Sequence, residues 1–241
     1  MLVMLSHSNL HYGISLEELG ARDAFSNFEL LKKVKAPPPN KVRQAKIPKG
    51  QYLWVVAKAV KSFNVYQFDG VEWIKKLSFP MGYGKNLGNK QRLGDKKTPE
   101  GNYWVNNIFP GKRRGPRFGA LVFSLNYPNA QDRLKGKTGG GIWIHGPNQS
   151  QRLSPTLGCL KVGNKDLLKL LKCEGPLPVV ILPKDKLYTH PAGLDLKWLK
   201  VELPLWQQRF ASTHFNNLKW RKGLYRKAKR FSDKLLLRKK T

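Results

Sequence analysis

Acidic side chains are scarce in this chain. Its 241 residues carry 15 Asp and Glu against 45 Lys and Arg, a formal net charge of +30 at pH 7. Charge of that size says little about fold, but it restricts partners to anionic classes: nucleic acid, lipid headgroups or acidic cell-wall polymers. Cysteine is scarcer still. Two residues are too few for a disulfide scaffold and too few for a zinc site of the usual spacing. No apolar run approaches the roughly 20 residues that a membrane-spanning helix requires. The opening Met1-Leu2-Val3-Met4-Leu5 is too short for the apolar region of an export signal and has no basic stretch before it, so no signal peptide is visible. Internal repeats and low-complexity blocks are also missing. Against these absences, 40% hydrophobic residues and seven tryptophans exclude a mostly disordered chain.

The texture changes twice along the sequence, which predicts three segments. Residues 1–47 read as an N-terminal extension: Ser15-Leu16-Glu17-Glu18 is a capping box, the positions after it suit a short helix to about Val34, and Pro37-Pro38-Pro39 forms a stiff spacer. Residues 48–184 read as mainly β. Strands are predicted at 52–57, 62–68, 71–74, 103–105, 121–125, 142–144 and 179–182, with Asp69-Gly70 as a hairpin turn. Gly and Pro punctuation suits a sandwich or barrel, with one helix from Asn164, as cap, to Cys173. Residues 185–241 read as a basic helical segment, with fifteen basic against four acidic residues. Trp198, Leu203, Trp206 and Phe210 suggest a packed start, and Leu224, Ala228, Phe231 and Leu235 form one apolar stripe.

Most suggestive local patterns have simpler readings. Gly136-Lys137-Thr138 lacks the glycine five residues earlier that a phosphate loop needs, since Gln131 stands there. Lys137 therefore reads as a surface loop residue. His7 and His11 have the spacing of a helical metal pair but no third ligand nearby. His190 and His214 read as surface histidines. Cys173, in Leu170-Leu171-Lys172-Cys173, reads as a half-buried helix position.

His145 and Cys159 differ from these. The run Ile142-Trp143-Ile144 delivers His145 to a strand end before Gly146, a rigid place to hold a base. Cys159 follows Gly158, whose freedom at φ permits a tight corner and whose small size leaves room for substrate. A thiol attacks as the thiolate, and an imidazole is the commonest means of producing one near neutral pH. From the residues alone, a Cys–His acyl-transfer centre and a buried structural cysteine both remain open.

Four ordered segments add to that reading: Gly94-Asp95-Lys96-Lys97-Thr98-Pro99-Glu100-Gly101-Asn102-Tyr103, Leu125-Asn126-Tyr127-Pro128-Asn129, Ile144-His145-Gly146 and Thr156-Leu157-Gly158-Cys159. With them the chain resembles the YkuD-type L,D-transpeptidases over roughly residues 50–183, nearest the YafK/ErfK-like branch. Two positions depart from the family pattern. Leu157 stands where many members carry histidine, and Lys161 where many carry arginine; lysine keeps the charge but loses the bidentate fork.

The resemblance implies a YkuD-like β-sandwich or barrel that acts on peptidoglycan stem peptides with no metal or organic cofactor. Cys159 would form a thioester with the third residue of a tetrapeptide, and His145 would act as base and then acid. Gly146, or a carbonyl beside it, would orient the imidazole, and the Gly158 and Cys159 amides would hold the oxyanion. Lys161, Arg152 and Tyr127 are candidate substrate contacts, and Thr98-Pro99-Glu100-Gly101 reads as a structural turn. An amine acceptor would give a cross-link, water would make the protein an L,D-carboxypeptidase, and a protein lysine would give attachment. The competing class is a non-catalytic basic binding module. The resemblance places the protein in the periplasm or envelope, with the basic C-terminal segment facing an anionic envelope surface and no nucleic acid expected.

Overall fold

β-Branched and aromatic runs build eight strands in the computed structural model, which describes residues 46–148, 153–186, 190–213 and 216–237. The expected N-terminal helix, the His7/His11 pair, Arg152 and His214 lie outside the described residues. The strands are β1 (Tyr52–Ala57), β2 (Ser62–Phe68), β3 (Trp73–Gly82), β4 (Gly101–Pro110), β5 (Leu121–Leu125), β6 (Trp143–His145), β7 (Leu160–Val162) and β8 (Pro178–Leu182). They close into a barrel in the order β1-β2-β3-β7-β6-β5-β4-β8. Neighbours run antiparallel except for β1 with β8 and β6 with β7. The β2–β3 turn is held by Asp69, whose Oδ1 accepts from the Val71 and Glu72 amides at 2.8 Å each.

Four α-helices accompany the barrel among the described residues: α1 (Ala130–Leu134), α2 (Asn164–Leu170), α3 (Lys197–Ala211) and α4 (Leu218–Leu237). The mainly β class with a helical C-terminal segment is observed, but the details depart from expectation. Helix α1 went unforeseen because five residues are too few to show a helical period. A capping box between Asn129 and Asp132 starts it. Strand β7 was missed for the same reason, being three residues long. Helix α2 is capped by Gly163, so Asn164 is not its cap. Lys137 is also not a surface residue. It is buried and ion-paired with Asp132 at 2.7 Å, a partner that α1 brings to it.

Strand β1 is buried on both faces, which explains its unbroken apolar run. Trp54 and Val56 point into the barrel core, beside Phe63, Phe123 and Ile144. Leu53, Val55 and Ala57 point outward into a second cluster closed by Leu199 and Leu203 of α3. There Trp206 stacks on Trp104 with ring centroids 5.0 Å apart, and Glu202 accepts from Trp104 Nε1 at 2.6 Å. Leu224 and Ala228 of α4 join the barrel-core cluster. The C-terminal helices thus cover barrel surface that would otherwise expose hydrophobic side chains to water.

Candidate active site

Alternation along two short parallel strands builds the site. Ile144, Leu160 and Val162 are fully buried in the barrel core. Successive strand side chains point to opposite faces. Trp143 and His145 of β6 therefore share the other face, as do Cys159 and Lys161 on and just before β7. The parallel register sets Ile144 beside Leu160 and His145 beside Lys161. Continuing that register by one residue brings Cys159 alongside Trp143. The thiol confirms this placement: Sγ lies 3.4 Å from the Gly141 carbonyl, and the Trp143 backbone N–H points at it.

A corner that only glycine fits turns the chain into the nucleophile. Gly158 has φ +133°, and a Cβ there would lie 2.8 Å from the Lys97 carbonyl oxygen. Two threonine side chains hold this corner through four hydrogen bonds. The Thr98 hydroxyl donates to the Gly158 carbonyl at 2.9 Å and accepts from the Gly84 amide at 2.8 Å. The Thr156 hydroxyl donates to the Cys159 carbonyl at 2.6 Å and accepts from the Gly158 amide at 3.0 Å. That last bond corrects one expectation. The Gly158 N–H is spent on Thr156, whereas the Cys159 N–H has no acceptor among the described residues.

The histidine is held equally closely. His145 Nδ1 sits 2.7 Å from the Gly146 carbonyl oxygen, which can only accept. Nδ1 therefore carries the proton, and Nε2 presents its lone pair. Phe118 packs edge-on against the ring, with centroids 5.1 Å apart. Behind both contacts lies Asn164, almost completely buried. Its Oδ1 accepts from the Ala120 amide at 2.7 Å, and its Nδ2 donates to the Pro147 carbonyl at 3.1 Å. A Cβ on Gly146 would fall 2.0 Å from that Oδ1, so glycine is required for Asn164 to reach both loops.

Burial pushes the Cys159 thiol up, against the Trp143 amide and the charges of Lys161, Arg117 and Lys90. Burial holds His145 down to about 4, the Gly146 carbonyl opposes this, and Lys161 and Arg117 reinforce it. Both groups are therefore neutral near pH 7. The two groups do not form a standing thiolate–imidazolium ion pair.

The structure sets Cys159, His145, Gly146, Gly158 and Lys161 on or next to the paired strands β6 and β7. Lys161 Nζ donates to Ser154 Oγ at 2.9 Å. Tyr127 is placed differently. It is buried beside Tyr103, and its hydroxyl donates to the Thr138 carbonyl at 3.3 Å, so it packs the core and is not carried forward as a substrate contact. Glu100 is committed to an ion pair with buried Lys58. Sequence reasoning missed Thr156, Arg117 and the polar role of Asn164. Thr98 was visible within its segment only as part of a turn.

A cysteine at a glycine corner and a histidine on the neighbouring strand sit on a closed β-barrel. A sequence model of the L,D-transpeptidase catalytic domain, YkuD, matches residues 34–181, and the chain belongs to that family. It is similar to YafK of Escherichia coli K12, with 37% identity over 87 residues. That match covers 35% of this chain and 31% of YafK, so the chain spans about a third of that curated relative. Among solved structures, the helical cell shape determining protein Pgp2 of Campylobacter jejuni shares the fold: TM-score 0.53, 24% identity, 79% of this chain and 75% of that one. Bd1075 of Bdellovibrio bacteriovorus is 31% identical with TM-score 0.49 over 58% of this chain and 51% of its own.

Proposed function

We propose that this chain is a peptidoglycan L,D-transpeptidase that works through a Cys159 thioester. The observation that carries the proposal is the shared face: Cys159 Sγ lies against the backbone at Gly141 and Trp143, while His145, two residues further along the same strand, has its Nδ1 proton fixed and its Nε2 available. Substrate binding displaces water and brings the carbonyl of the third stem residue to the sulfur. His145 Nε2 takes the thiol proton as the S–C bond forms, then delivers it to the amine of the departing D-alanine as the C–N bond breaks. The Cys159 amide and the cations Lys161 and Arg117 favour the negative charge that appears on the carbonyl oxygen. An amine from a second stem then attacks the thioester, with His145 again accepting the proton, and releases the thiol.

Residues 48–184 form the catalytic part in this reading, and 185–241 brace it. The +30 net charge suits a substrate bearing free carboxylates. Peptidoglycan lies outside the cytoplasmic membrane, which places the protein in the periplasm or envelope. The exposed basic face of α4, with Lys222, Arg226, Lys229 and Arg230, would face anionic envelope surface. No helix among the described residues is long and apolar enough to cross a membrane.

Two mass measurements test the proposal. Exposure to a carbapenem should add one acyl group at Cys159, and an unmodified thiol after prolonged exposure overturns the nucleophile assignment. Incubation with disaccharide-tetrapeptide should give cross-linked dimer. Tripeptide alone would assign the same thioester to hydrolysis and make the protein an L,D-carboxypeptidase.

A further inference from the structure

A cavity of about 520 Å³ lies between the end of β4 with its following turn and one face of α4. Its walls include Phe109, Arg113, Arg114, Trp220, Gly223 and Lys227. Three cations line it and no acid does. None of Arg113, Arg114 and Lys227 belongs to an ion pair among the described residues, although five such pairs form elsewhere. Like charges gathered in one concave place repel each other unless an anion joins them.

Helix α4 is shaped to leave this space open. Trp220, Gly223, Leu224 and Lys227 fall on one helical face at the i, i+3, i+4, i+7 spacing. Glycine is the poorest helix former after proline, yet Gly223 stands inside a 20-residue helix. Packing does not demand it, because a Cβ built there meets nothing within 4 Å. Its missing side chain leaves the helix surface open along the cavity wall between Trp220 and Lys227.

One arginine of the cavity also reaches toward strand β6. The Arg114 guanidinium lies 5.9 Å from the Phe109 ring centroid and 5.8 Å from that of Trp143. Trp143 shares the catalytic face with His145, and its amide points at Cys159 Sγ. Arg114 borders both the Trp143 ring and the cavity, so a ligand extending from β6 into the cavity would pass it. Arginine forks grip oxyanions bidentately, and the aromatic walls accept the apolar part of the same ligand.

We propose that this cavity is an oxyanion subsite. It anchors a carboxylate or phosphate group of an extended cell-wall substrate while the acyl group sits at Cys159. The proposal rests on the transpeptidase reading for the identity of the substrate and on the cavity alone for the anion.

Calorimetry on Cys159→Ala protein separates binding from turnover. Disaccharide-tetrapeptide is titrated in unaltered form, with its carboxylates amidated, and in competition with inorganic phosphate. Arg113→Ala/Lys227→Ala should weaken the unaltered ligand about tenfold, as loss of charge-assisted hydrogen bonds does. Gly223→Leu, which fills the cavity and keeps every charge, should do the same. Arg113, Gly223 and Lys227 all line the cavity, and thermal unfolding confirms that the variants fold. Amidation should cost as much as the double variant and add nothing to it, which assigns a carboxylate. Disaccharide-tetrapeptide binding indifferent to amidation, together with direct binding of inorganic phosphate that both variants lose, supports the subsite with phosphate as its group. Affinity within twofold across both variants overturns the proposal. Carbapenem acylation of the unaltered protein reports separately on the nucleophile: if it fails while the cavity binds, the transpeptidase reading falls alone, and if it succeeds while the variants bind normally, the subsite falls alone.

Discussion

The β1–β2–β8 wall and the β6–β7 wall of the same barrel are held together by different means. Strand β1 pairs with β2 over six consecutive positions and with β8 over four, and its side chains are buried on both faces. Strands β6 and β7 share two paired positions. Around them, side chains do what backbone ladders do elsewhere: Thr98, Thr156 and Asn164 tie glycine corners to neighbouring loops. Ladder and core fix a wall broadly, whereas single polar side chains fix single atoms. A catalytic group needs the second kind of restraint, because misplacement by about 1 Å can cost on the order of 100-fold in rate. The two cysteines repeat the contrast. Cys173 is sealed in the barrel core with its thiol pushed up to about 12 by burial, while Cys159 stays half-buried beside three cations.

If the two walls divide stability and reactivity in this way, substitutions should separate along the same line. Cys159→Ala should abolish acyl transfer, about 1,000-fold or more in kcat, with the unfolding midpoint nearly unchanged; residual turnover by the purified variant would break the comparison outright. Trp54→Ala, in the sealed wall, should cost about 3–5 kcal/mol of stability, measured by urea denaturation, with carbapenem acylation retained in whatever fraction stays folded. Acidification tests His145. The folded state takes up its proton near pH 4 and the unfolded state near 6.5, so the unfolded chain binds more protons between those values. Stability is therefore complete above pH 6.5 and is lost as pH falls toward 4, by up to about 3 kcal/mol. His145→Gln should flatten that window, and acyl transfer by the unaltered protein should fade below about pH 4–5 as the base protonates.

Asn164→Ala sharpens the comparison, since it touches neither substrate nor sulfur. Leaving the Ala120 amide and the Pro147 carbonyl unpaired should cost about 1–3 kcal/mol. As a positioning residue it should also lower kcat more than it raises KM, and shift the imidazole titration seen by NMR. A stability loss with kcat and titration intact would reduce it to a packing residue. Smallest of all, Cys173→Ala should lose about 1 kcal/mol from its core site and leave the turnover of folded protein unaltered, as an unfolding curve and a rate assay would show.

Much of the barrel was legible because its longer strands carry their own signal. The runs at 52–57, 62–68 and 121–125 coincide with β1, β2 and β5, where burial demands β-branched and aromatic residues. The Gly158-Cys159 pair was legible because a positive φ at that corner needs glycine. Strand β7 and helix α1 were not, since three and five residues give no period to count. Asn164 looked like a cap because asparagine favours helix starts, and its partners Ala120 and Pro147 are far enough away in sequence that nothing local announces them. Lys137 was read as a surface residue for a related reason: burial of a polar residue depends on which partner arrives, and Asp132 arrives only through the folded loops.

Composition and local pattern by themselves determined that the chain is strongly basic, mainly β, and equipped with one cysteine at a glycine corner and one histidine at a strand end. Propensity, turn chemistry and net charge are properties of short stretches, so the sequence carries them openly. Tertiary structure alone decided that β6 and β7 lie side by side and in parallel, which puts sulfur and imidazole on one face. It also decided that the Gly158 amide is taken by Thr156, and that Arg113, Arg114 and Lys227 line one cavity. Those outcomes depend on contacts between residues distant in the chain, whose geometry exists only once the barrel has closed.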